Sequence, residues 1–300
     1  MKVKNNMILC VGEVLWDHLP TGKMPGGAPM NVALHLHQLG QMVTFASRVG
    51  EDPSGQELRA FLAASGLDTS LIDADPVLPT SKVLVHLDEN NNATYEICAP
   101  VAWDNLRLSP ALVKAAAAAG IIIFGTLASR NSVSRGTLLE LLKGDALRVI
   151  DINLRKPYDR QEVAELLLAR ADVAKLNSEE LETIASWHGR DTGDEKENIL
   201  WFAEHYVMKV VCVTRGSRGA IVWDNGRFYE HQGYRVRAVD TVGAGDAFLA
   251  GWLASLLAGK EASEALAFAC ATGAFVATQP GATPNLDMRQ ITSIRNGDCF

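Results

Sequence analysis

The sequence has no apolar run of the about 20 residues that a helix needs to cross a membrane. The alanine-rich stretch at 111–128 is interrupted by Lys114 and Gly120. The apolar stretch near the N-terminus is short and soon meets charged residues, unlike a secretion signal. We therefore expect a protein that neither spans nor enters a membrane.

Cysteine and histidine are sparse and show no metal-binding spacing. The five cysteines include no C-x-x-C pair and the seven histidines include no H-x-x-x-H pair, so the common zinc motifs are absent. Cys10 and Cys212 lie in apolar runs typical of buried strands, which favours a reduced protein in the cytoplasm. His35, His37 and Gln38 are predicted to lie on an exposed flank of a helix.

An excess of positive charge is also absent. The formal net charge is −7, which argues against binding to nucleic acid or to an anionic membrane surface. The sequence contains no Walker loop, no G-x-S-x-G elbow, and no G-x-G-x-x-G after its first apolar strand. These absences exclude phosphate binding by a Walker loop and argue against a Rossmann dehydrogenase.

What the sequence does have is a regular alternation of short apolar runs and segments of helical periodicity. This alternation predicts parallel strands with helices on both faces, hence a single three-layer α/β/α domain over 1–300 with a mostly parallel central sheet. The predicted strands are Ile8–Gly12, Val43–Val49, Ile121–Phe124, Val149–Ile152, Val173–Leu176 and Lys209–Val213. The predicted helices are Pro29–Leu39, Pro53–Ser65, Ser132–Lys143, Gln161–Ala169 and Ser178–Trp187.

One stretch breaks the alternation. Residues 81–100 read as two strands around a polar turn, which is typical of a β-hairpin, and Trp103 follows. An earlier segment that holds Asp17 could pair with this hairpin. We expect the two segments, about 12–24 and 80–104, to form a small β lid. A surface hairpin without a function is the alternative.

Residues 240–246 read D-T-V-G-A-G-D and precede a strongly apolar run. Gly243, Ala244 and Gly245 leave backbone N–H groups uncovered at the start of a helix, whose positive end favours an anion. Asp246 places a proton acceptor beside that anion site. Together they provide what phosphoryl transfer to a hydroxyl requires. A glycine-rich turn that only packs tightly is the alternative.

A second pair of glycines precedes a polar side chain in G-G-A-P-M-N at 26–31. The glycines let a ligand approach the backbone closely, and Pro29 suits the first turn of a helix. Asn31 lies one turn beyond Gly27, so its amide can offer a donor and an acceptor to hydroxyl groups. Taken alone, the motif is equally compatible with an ordinary helix start.

These motifs resemble the signatures of the ribokinase-like (PfkB) carbohydrate kinases. D-T-V-G-A-G-D matches the family form D-T-x-G-A-G-D, and G-G-A-P-M-N resembles the N-terminal signature. D-I-N-L-R at 151–155, N-S-E-E at 177–180 and T-R-G-S-R-G at 214–219 follow in family order. The resemblance covers nearly the whole chain. It implies a ribokinase-like fold that binds a sugar, ATP and Mg²⁺, with K⁺ as a further expectation.

The resemblance also implies roles for individual residues at the sugar. The sugar would be bound by Asp17, Gly27, Asn31, Arg155 and Asp246. Asp246 would accept the proton of the attacking hydroxyl. The N–H groups of residues 243–245, together with Arg155, would stabilise charge on the transferring phosphoryl group.

For the nucleotide, the residues implied by the resemblance are Asn177, Thr214, Gly216, Gly219, Gly245 and Gly273. Glu180 and Asn177 would approach Mg²⁺ through water. Asp240 would bind K⁺ with backbone carbonyls near Val242, Val276 and Gly281. From the residues alone, N-S-E-E is equally a helix cap and T-R-G-S-R-G equally a hairpin turn.

Local cations are expected to offset the negative charge of ATP in this acidic chain. They are Arg155, Lys156, Lys175, Arg215 and Arg218.

Among the branches of the family, the chain resembles the bacterial fructokinases most. Ile152 stands where their D-P-N-L-R has proline, and Gly125-Thr126 stand where a ribokinase has glutamate. The implied reaction transfers the γ-phosphate of ATP to the primary hydroxyl of a ketose, D-fructose, to give fructose 6-phosphate. Kinases of the same family for 2-keto-3-deoxygluconate, ribose or a nucleoside, and a non-catalytic sugar-binding regulator, are the alternatives. Tyr95, Trp103 and Thr126 should discriminate among the sugars.

The lid hairpin has one wholly apolar face, because Val83, Val85 and Leu87 alternate with Leu84 and His86. A homodimer formed through two such lids is therefore a further expectation.

Overall fold

The computed structural model describes residues 3–19, 22–87, 93–190 and 192–297 of the 300-residue chain. The strands are β1 (Met7–Val11), β2 (Leu15–Leu19), β3 (Gly22–Gly26), β4 (Met42–Gly50), β5 (Ile72–Asp75), β6 (Ser81–Leu87), β7 (Ala93–Ile97), β8 (Ile121–Gly125), β9 (Leu147–Asp151), β10 (Val173–Asn177), β11 (Val210–Thr214), β12 (Ala220–Asp224) and β13 (Arg227–His231). The helices are α1 (Ala28–Gln38), α2 (Pro53–Ala64), α3 (Pro110–Ala118), α4 (Ser132–Leu141), α5 (Gln161–Leu168), α6 (Ser178–Trp187), α7 (Glu195–His205), α8 (Ala244–Leu257), α9 (Ala262–Ala277) and α10 (Met288–Asn296).

The central sheet has nine strands and is parallel over most of its width. Its order is β13-β12-β11-β10-β9-β8-β1-β4-β5. Every neighbouring pair from β11 to β5 is parallel, whereas β12 and β13 add an antiparallel edge. Helices α4 and α5 supply the crossovers that parallel neighbours require. The predicted α/β class and three-layer architecture are confirmed.

Apolar side chains cover both faces of this sheet. In β1, Ile8 and Cys10 belong to one buried cluster, and Leu9 and Val11 belong to the other, because successive side chains of a strand point to opposite faces. Helices α1, α2, α8 and α9 pack on the first cluster, and α3 to α7 pack on the second. Burial on both faces explains why these strands read as continuous apolar runs.

A separate four-stranded sheet has the order β3-β2-β6-β7. Strand β2, which carries Asp17, pairs in parallel with β6 and places Asp17 opposite Val83. The segment around Asp17 thus pairs with the hairpin, and β3 is an additional strand that the pattern did not predict. The side chains of residues 85–87 and 93–95, including Tyr95, lie outside the described residues, so the apolar hairpin face stays a prediction.

His35 is buried, and the prediction that it lies on an exposed helix flank is wrong. Its side chain has 0% exposure, and its Nε2–H group donates to the carbonyl oxygen of Ala282 at 3.0 Å. Burial lowers the pKa of His35 to about 4, so the ring is neutral at pH 7. Gln38 is partly exposed and accepts a hydrogen bond from the Leu286 N–H group at 2.8 Å. The segment around Ala282 that covers His35 is distant in sequence, so local periodicity could not indicate this burial.

The longest helices are α8 with 14 residues and α9 with 16. In the described part of the chain, no helix combines the length and the apolar character needed to span a bilayer.

Val207, just after α7, has an unfavourable backbone conformation. Its φ is +55°, and the other described non-glycine residues with positive φ are two asparagines, which tolerate this region better than a β-branched residue does. Its side chain is 81% exposed, so little packing compensates the strain. We expect Val207→Gly to raise the free energy of unfolding by about 0.5–1 kcal/mol, because the strain removed exceeds the added chain entropy.

Thermal unfolding of Val207→Gly measures this effect. Val77→Gly is the matched control, because Val77 is 84% exposed and has no positive φ; it should not stabilise the protein. A midpoint for Val207→Gly at or below that of the unmodified chain would contradict the assignment of strain.

Candidate active site

The polar motifs meet at the carboxyl-terminal edge of the central sheet. Strands β1, β8, β9 and β10 are parallel neighbours and therefore end at one edge. Thr126, after β8, donates from Oγ1 to the carbonyl oxygen of Ile152 at 2.7 Å, which joins two of these strand ends. Crevices at such edges are the usual ligand sites of open α/β sheets.

Asp246 and Asn31 are brought together from distant parts of the chain. Asp246 lies in the first turn of α8 and is buried. Its Oδ2 accepts a hydrogen bond from Asn31 Nδ2 at 2.8 Å. Burial raises the pKa of Asp246, while Lys175, the Asn31 hydrogen bond and Arg155 act in the opposite direction. The carboxylate is thus held in place but remains basic.

The start of α8 approaches two other segments more closely than a side chain would allow. Gly243 is the N-cap residue with φ +77°, and a Cβ built on it would lie 2.7 Å from Cα of Ala282. A Cβ on Gly245 would lie 2.9 Å from Nζ of Lys175. The first N–H groups of a helix have no intrahelical acceptor, so this turn can bind an anion. The motif D-T-V-G-A-G-D can therefore serve both tight packing and anion binding.

Lys175 forms a buried ion pair behind this turn. Its Nζ lies 3.0 Å from each carboxylate oxygen of Asp151. Burial raises the pKa of Asp151 to about 6, and Lys175 acts against this rise. For Lys175, the nearby carboxylates outweigh burial and raise its pKa, so it stays charged. It is therefore a fixed internal charge and not the free cation for ATP that the sequence suggested.

Arg155 is an exposed cation that acts on several carboxylates from different elements. Burial raises the pKa values of Glu13, Asp17, Asp151 and Asp246, and the charge of Arg155 opposes each rise. Burial nevertheless raises the pKa of Asp17 to about 6. Asp17 and Asp246 thus both lie within reach of the charge of Arg155.

Glu13 is a buried carboxyl group beneath the start of α1. Its Oε2 has no hydrogen-bond partner among the described residues. Burial raises its pKa to about 7, and hydrogen bonds from the N–H groups of Glu13 and Ala28 oppose this rise. A Cβ on Gly27 would lie 2.5 Å from the carbonyl oxygen of Glu13. The glycine therefore lets α1 start directly over the end of β1.

Asn177 and Glu180 form a reciprocal cap at the start of α6. Asn177 Oδ1 accepts from the Glu180 N–H group, and Glu180 Oε2 accepts from the Asn177 N–H group, both at 2.8 Å. Glu180 Oε1 accepts from the Leu154 N–H group at 2.8 Å. Because these oxygens already serve the backbone, they fit Mg²⁺ held through water and not directly. The described residues include no cluster of three or more acidic, histidine or cysteine side chains suited to a metal.

The segment T-R-G-S-R-G connects β11 to β12 in an antiparallel hairpin. Thr214 ends β11, Gly216 has φ +59°, and Gly219 packs so closely on Gly233 that a Cβ would lie 2.2 Å from its N atom. Arg215 forms ion pairs with Glu195 and Glu230. These glycines have a structural reason of their own, and Arg215 is already paired.

Asp240 lies beside the end of α9. Its Oδ1 accepts from the Val242 N–H group at 3.0 Å, and its Oδ2 accepts from the Gly281 N–H group at 3.1 Å. The Asp240 N–H group donates to the carbonyl oxygen of Ala277, next to Val276. Oxygen atoms at the negative end of a helix fit a monovalent cation.

Comparison with known proteins places this site in a family. The model of the pfkB family of carbohydrate kinases matches residues 13–289. The chain belongs to this family. A fructokinase from Klebsiella pneumoniae is 34% identical in an alignment of 268 residues, which covers 85% of this chain and 85% of that protein.

Solved structures of other kinases share the fold. A fructokinase double mutant from Vibrio cholerae O395, with fructose, ADP and potassium ion bound, is 25% identical with a TM-score of 0.82, covering 98% of this chain and 99% of that one. A fructokinase from Xylella fastidiosa with bound ATP has a TM-score of 0.84 at 24% identity, covering 97% and 98%. The chain is an ATP-dependent carbohydrate kinase.

Two residues predicted for ligand contact or selectivity are buried in this kinase, and their roles toward a ligand stay predictions. Gly273 is buried in α9, where a Cβ would lie 2.8 Å from the carbonyl oxygen of Ala244, so it serves the close packing of α8 and α9. Trp103 is 1% exposed, and the guanidinium carbon of Arg130 lies 4.0 Å from the centroid of its ring. Its indole therefore supports the fold near the second sheet.

No role is predicted from the sequence for the buried carboxyl groups of Glu13 and Asp151, and Lys175 is predicted only as a local cation for ATP. Glu13 follows β1, Asp151 ends β9, and Lys175 lies within β10. A charged residue within or just after an apolar strand is the signal available in the sequence, since such groups are rarely buried without a partner.

Proposed function

We propose that this kinase transfers the γ-phosphoryl group of ATP to the primary hydroxyl of D-fructose and forms fructose 6-phosphate. The names of its relatives support this sugar, as does the fructose bound in the Vibrio cholerae structure. The observation that carries the proposal is the hydrogen bond between Asn31 and Asp246. This hydrogen bond joins the amide of Asn31, which is expected to face the sugar, to the carboxylate of Asp246, which is expected to accept the proton of the sugar hydroxyl.

On this proposal the sugar is held from two sides. Asp17 on β2 and Gly27 at the start of α1 bind hydroxyl groups. Asn31 Nδ2 donates a hydrogen bond to Asp246. Asn31 Oδ1 has no hydrogen-bond partner among the described residues, and it accepts a hydrogen bond from a sugar hydroxyl. The four-stranded sheet closes over the sugar and excludes water, which limits hydrolysis of ATP.

The chemical step uses the start of α8. Asp246 accepts the proton of the primary hydroxyl as the new O–P bond forms and the bond to ADP breaks. A carboxylate suffices because a loose transition state requires little early deprotonation. The N–H groups of residues 243–245 and the guanidinium group of Arg155 stabilise the charge on the transferring group.

Two cations complete the proposal. Asn177 and Glu180 would approach Mg²⁺ through water, and Asp240 with the carbonyls of Val242, Val276 and Gly281 would bind K⁺. Mg²⁺ would neutralise charge on the ATP phosphates, and K⁺ would add positive charge beside the anion site.

We also propose a cytoplasmic location and a homodimer formed through the four-stranded sheet. The described cysteines, Cys10, Cys98, Cys212 and Cys270, are all free thiols, which suits a reducing compartment. Strands β3 and β7 are the edges of the four-stranded sheet and can pair with a second copy.

A coupled assay of ADP release tests the function. We expect turnover with fructose to exceed turnover with ribose, 2-keto-3-deoxygluconate, tagatose and adenosine, with no ADP release when sugar is omitted. If another sugar is preferred, the choice of fructose is wrong although the chain remains a kinase. If no sugar is phosphorylated but sugars bind in calorimetry, the chain is a sugar-binding regulator.

A further inference from the structure

Lys175 occupies an unusual position for a positive charge. Its side chain is only 9% exposed. Its Nζ fills the space that a side chain at Gly245 would take, 2.9 Å from the position of the missing Cβ. The cation thus lies directly against the first turn of α8.

The contribution of the Lys175–Asp151 ion pair to the stability of the fold does not by itself explain why a lysine is buried here. In the β9–β10 ladder, the preceding pairs are Val173 with Val149 and Ala174 with Ile150, and Lys175 with Asp151 is the next. A buried ion pair contributes little compared with apolar side chains of similar volume, because both charges lose their hydration. The charged pair thus lies at the end of the β9–β10 ladder that is next to the site.

Negative charge exceeds positive charge around this point. Asp246 on α8 is faced by Lys175 on β10 and Asp151 on β9, by Glu180 on α6, and by Arg155 and Glu13 from the strand ends. Two cations therefore face four carboxyl groups, and of the cations only Lys175 is buried. A site with this balance would repel the phosphates of ATP unless a fixed positive charge lay close to the anion-binding turn.

We propose that Lys175 is a positioning residue for phosphoryl transfer: its ammonium group, fixed by Asp151, supports the backbone of Gly245 and supplies positive charge to Asp246 and to the anion-binding turn. This inference rests on the proposed function. Asp151 acts as the holder of the ammonium group, and neither residue contacts the sugar. The ammonium group favours the ionised form of Asp246, which is the form that accepts a proton.

The test compares Lys175→Met with the double variant Lys175→Met/Asp151→Asn. The single variant leaves Asp151 buried without its partner, so it loses thermal stability as well as activity. The double variant removes both charges and should regain most of the thermal midpoint. We expect both variants to show kcat lowered about 100-fold, as when one stabilising group is removed from an anion site.

The pH profile separates a positioning role from a structural one. The acidic limb of kcat/KM reports ionisation of Asp246 and should move up by about one pH unit in both variants. Lys209→Met is the matched control. Lys209 pairs with Asp172 at 2.9 Å but is 57% exposed, so both kcat and the pH profile should stay unchanged. A double variant with the kcat and acidic limb of the unmodified enzyme would show that the pair serves folding only and would overturn the proposal.

The outcome does not depend on the identity of the sugar. If the unmodified chain prefers a sugar other than fructose, that sugar is used for all variants. The comparison of variants then still tests the role of Lys175, and only the choice of fructose is wrong. If no sugar is phosphorylated, ¹³C NMR of the Asp246 carboxyl group gives the answer directly. Its titration midpoint should rise in the double variant, and an unchanged midpoint would contradict the inference.

Discussion

Replacing Asp246 with Asn is expected to lower kcat by about three orders of magnitude, in the upper part of the range for loss of a general base. The amide has the shape of the carboxylate and retains an oxygen that can accept from Asn31, so the pocket is preserved. It cannot accept the proton of the attacking hydroxyl. The KM for the sugar should change only a few-fold, because the sugar contacts proposed for Asp17 and the start of α1 do not involve the substituted group.

Single-turnover kinetics and sugar-binding calorimetry measure the two parts of this expectation. Asp145→Asn, which changes an exposed aspartate, is the control and should leave both values unchanged. Turnover of Asp246→Asn within tenfold of the unmodified enzyme would remove Asp246 from the role of base. In the unmodified enzyme, burial raises the pKa of Asp246, so activity should be lost as the pH falls through a value above the usual range of aspartate.

Replacing Gly243 with Ala is expected to lower kcat/KM by about 100-fold or more, because it displaces the anion-binding N–H groups. The new methyl group would overlap Ala282, whose Cα is 2.7 Å away, so α8 or the segment at Ala282 must shift. The left-handed conformation adds a stability cost of about 1–2 kcal/mol.

Gly259→Ala is the matched control for this variant. Gly259 has φ +74°, close to the +77° of Gly243, but a Cβ there would meet nothing within 4 Å. It should show the stability cost alone, with activity retained. If both variants lose equal stability and neither loses activity, the close approach of Gly243 to Ala282 has no part in the reaction.

Much of the architecture follows from local sequence patterns. The apolar runs predict β1, β4 and β8 to β11 because strands buried on both faces consist mainly of apolar side chains. The helix starts at Gly27 and Asn177 are visible because capping depends on a few adjacent residues. The first of these leads to Asn31, and the resemblance names Asp246 as a second residue for the sugar. The hydrogen bond between the two is seen only in the structure.

The remaining features depend on contacts between distant segments. His35 has the spacing of a flank position, and it is buried because the chain near Ala282 covers it. Lys175 looks like a solvent-exposed cation in sequence, and its environment is set by Asp151 and by the missing side chain of Gly245. Local periodicity contains no information about either partner. Only the assembled sheet brings them together.

The contact between α1 and the last part of the chain has a consequence for how the protein matures. Asn31 and Asp246 are separated by 215 positions, and Gln38 and Leu286 by 248. Contacts this far apart in sequence form late, after the intervening strands have paired. During synthesis, the pocket proposed for the sugar cannot exist until α8 has left the ribosome. Sugar affinity is therefore a sensitive gauge of complete folding, since partly folded chains would carry the N-terminal motif but not the pocket.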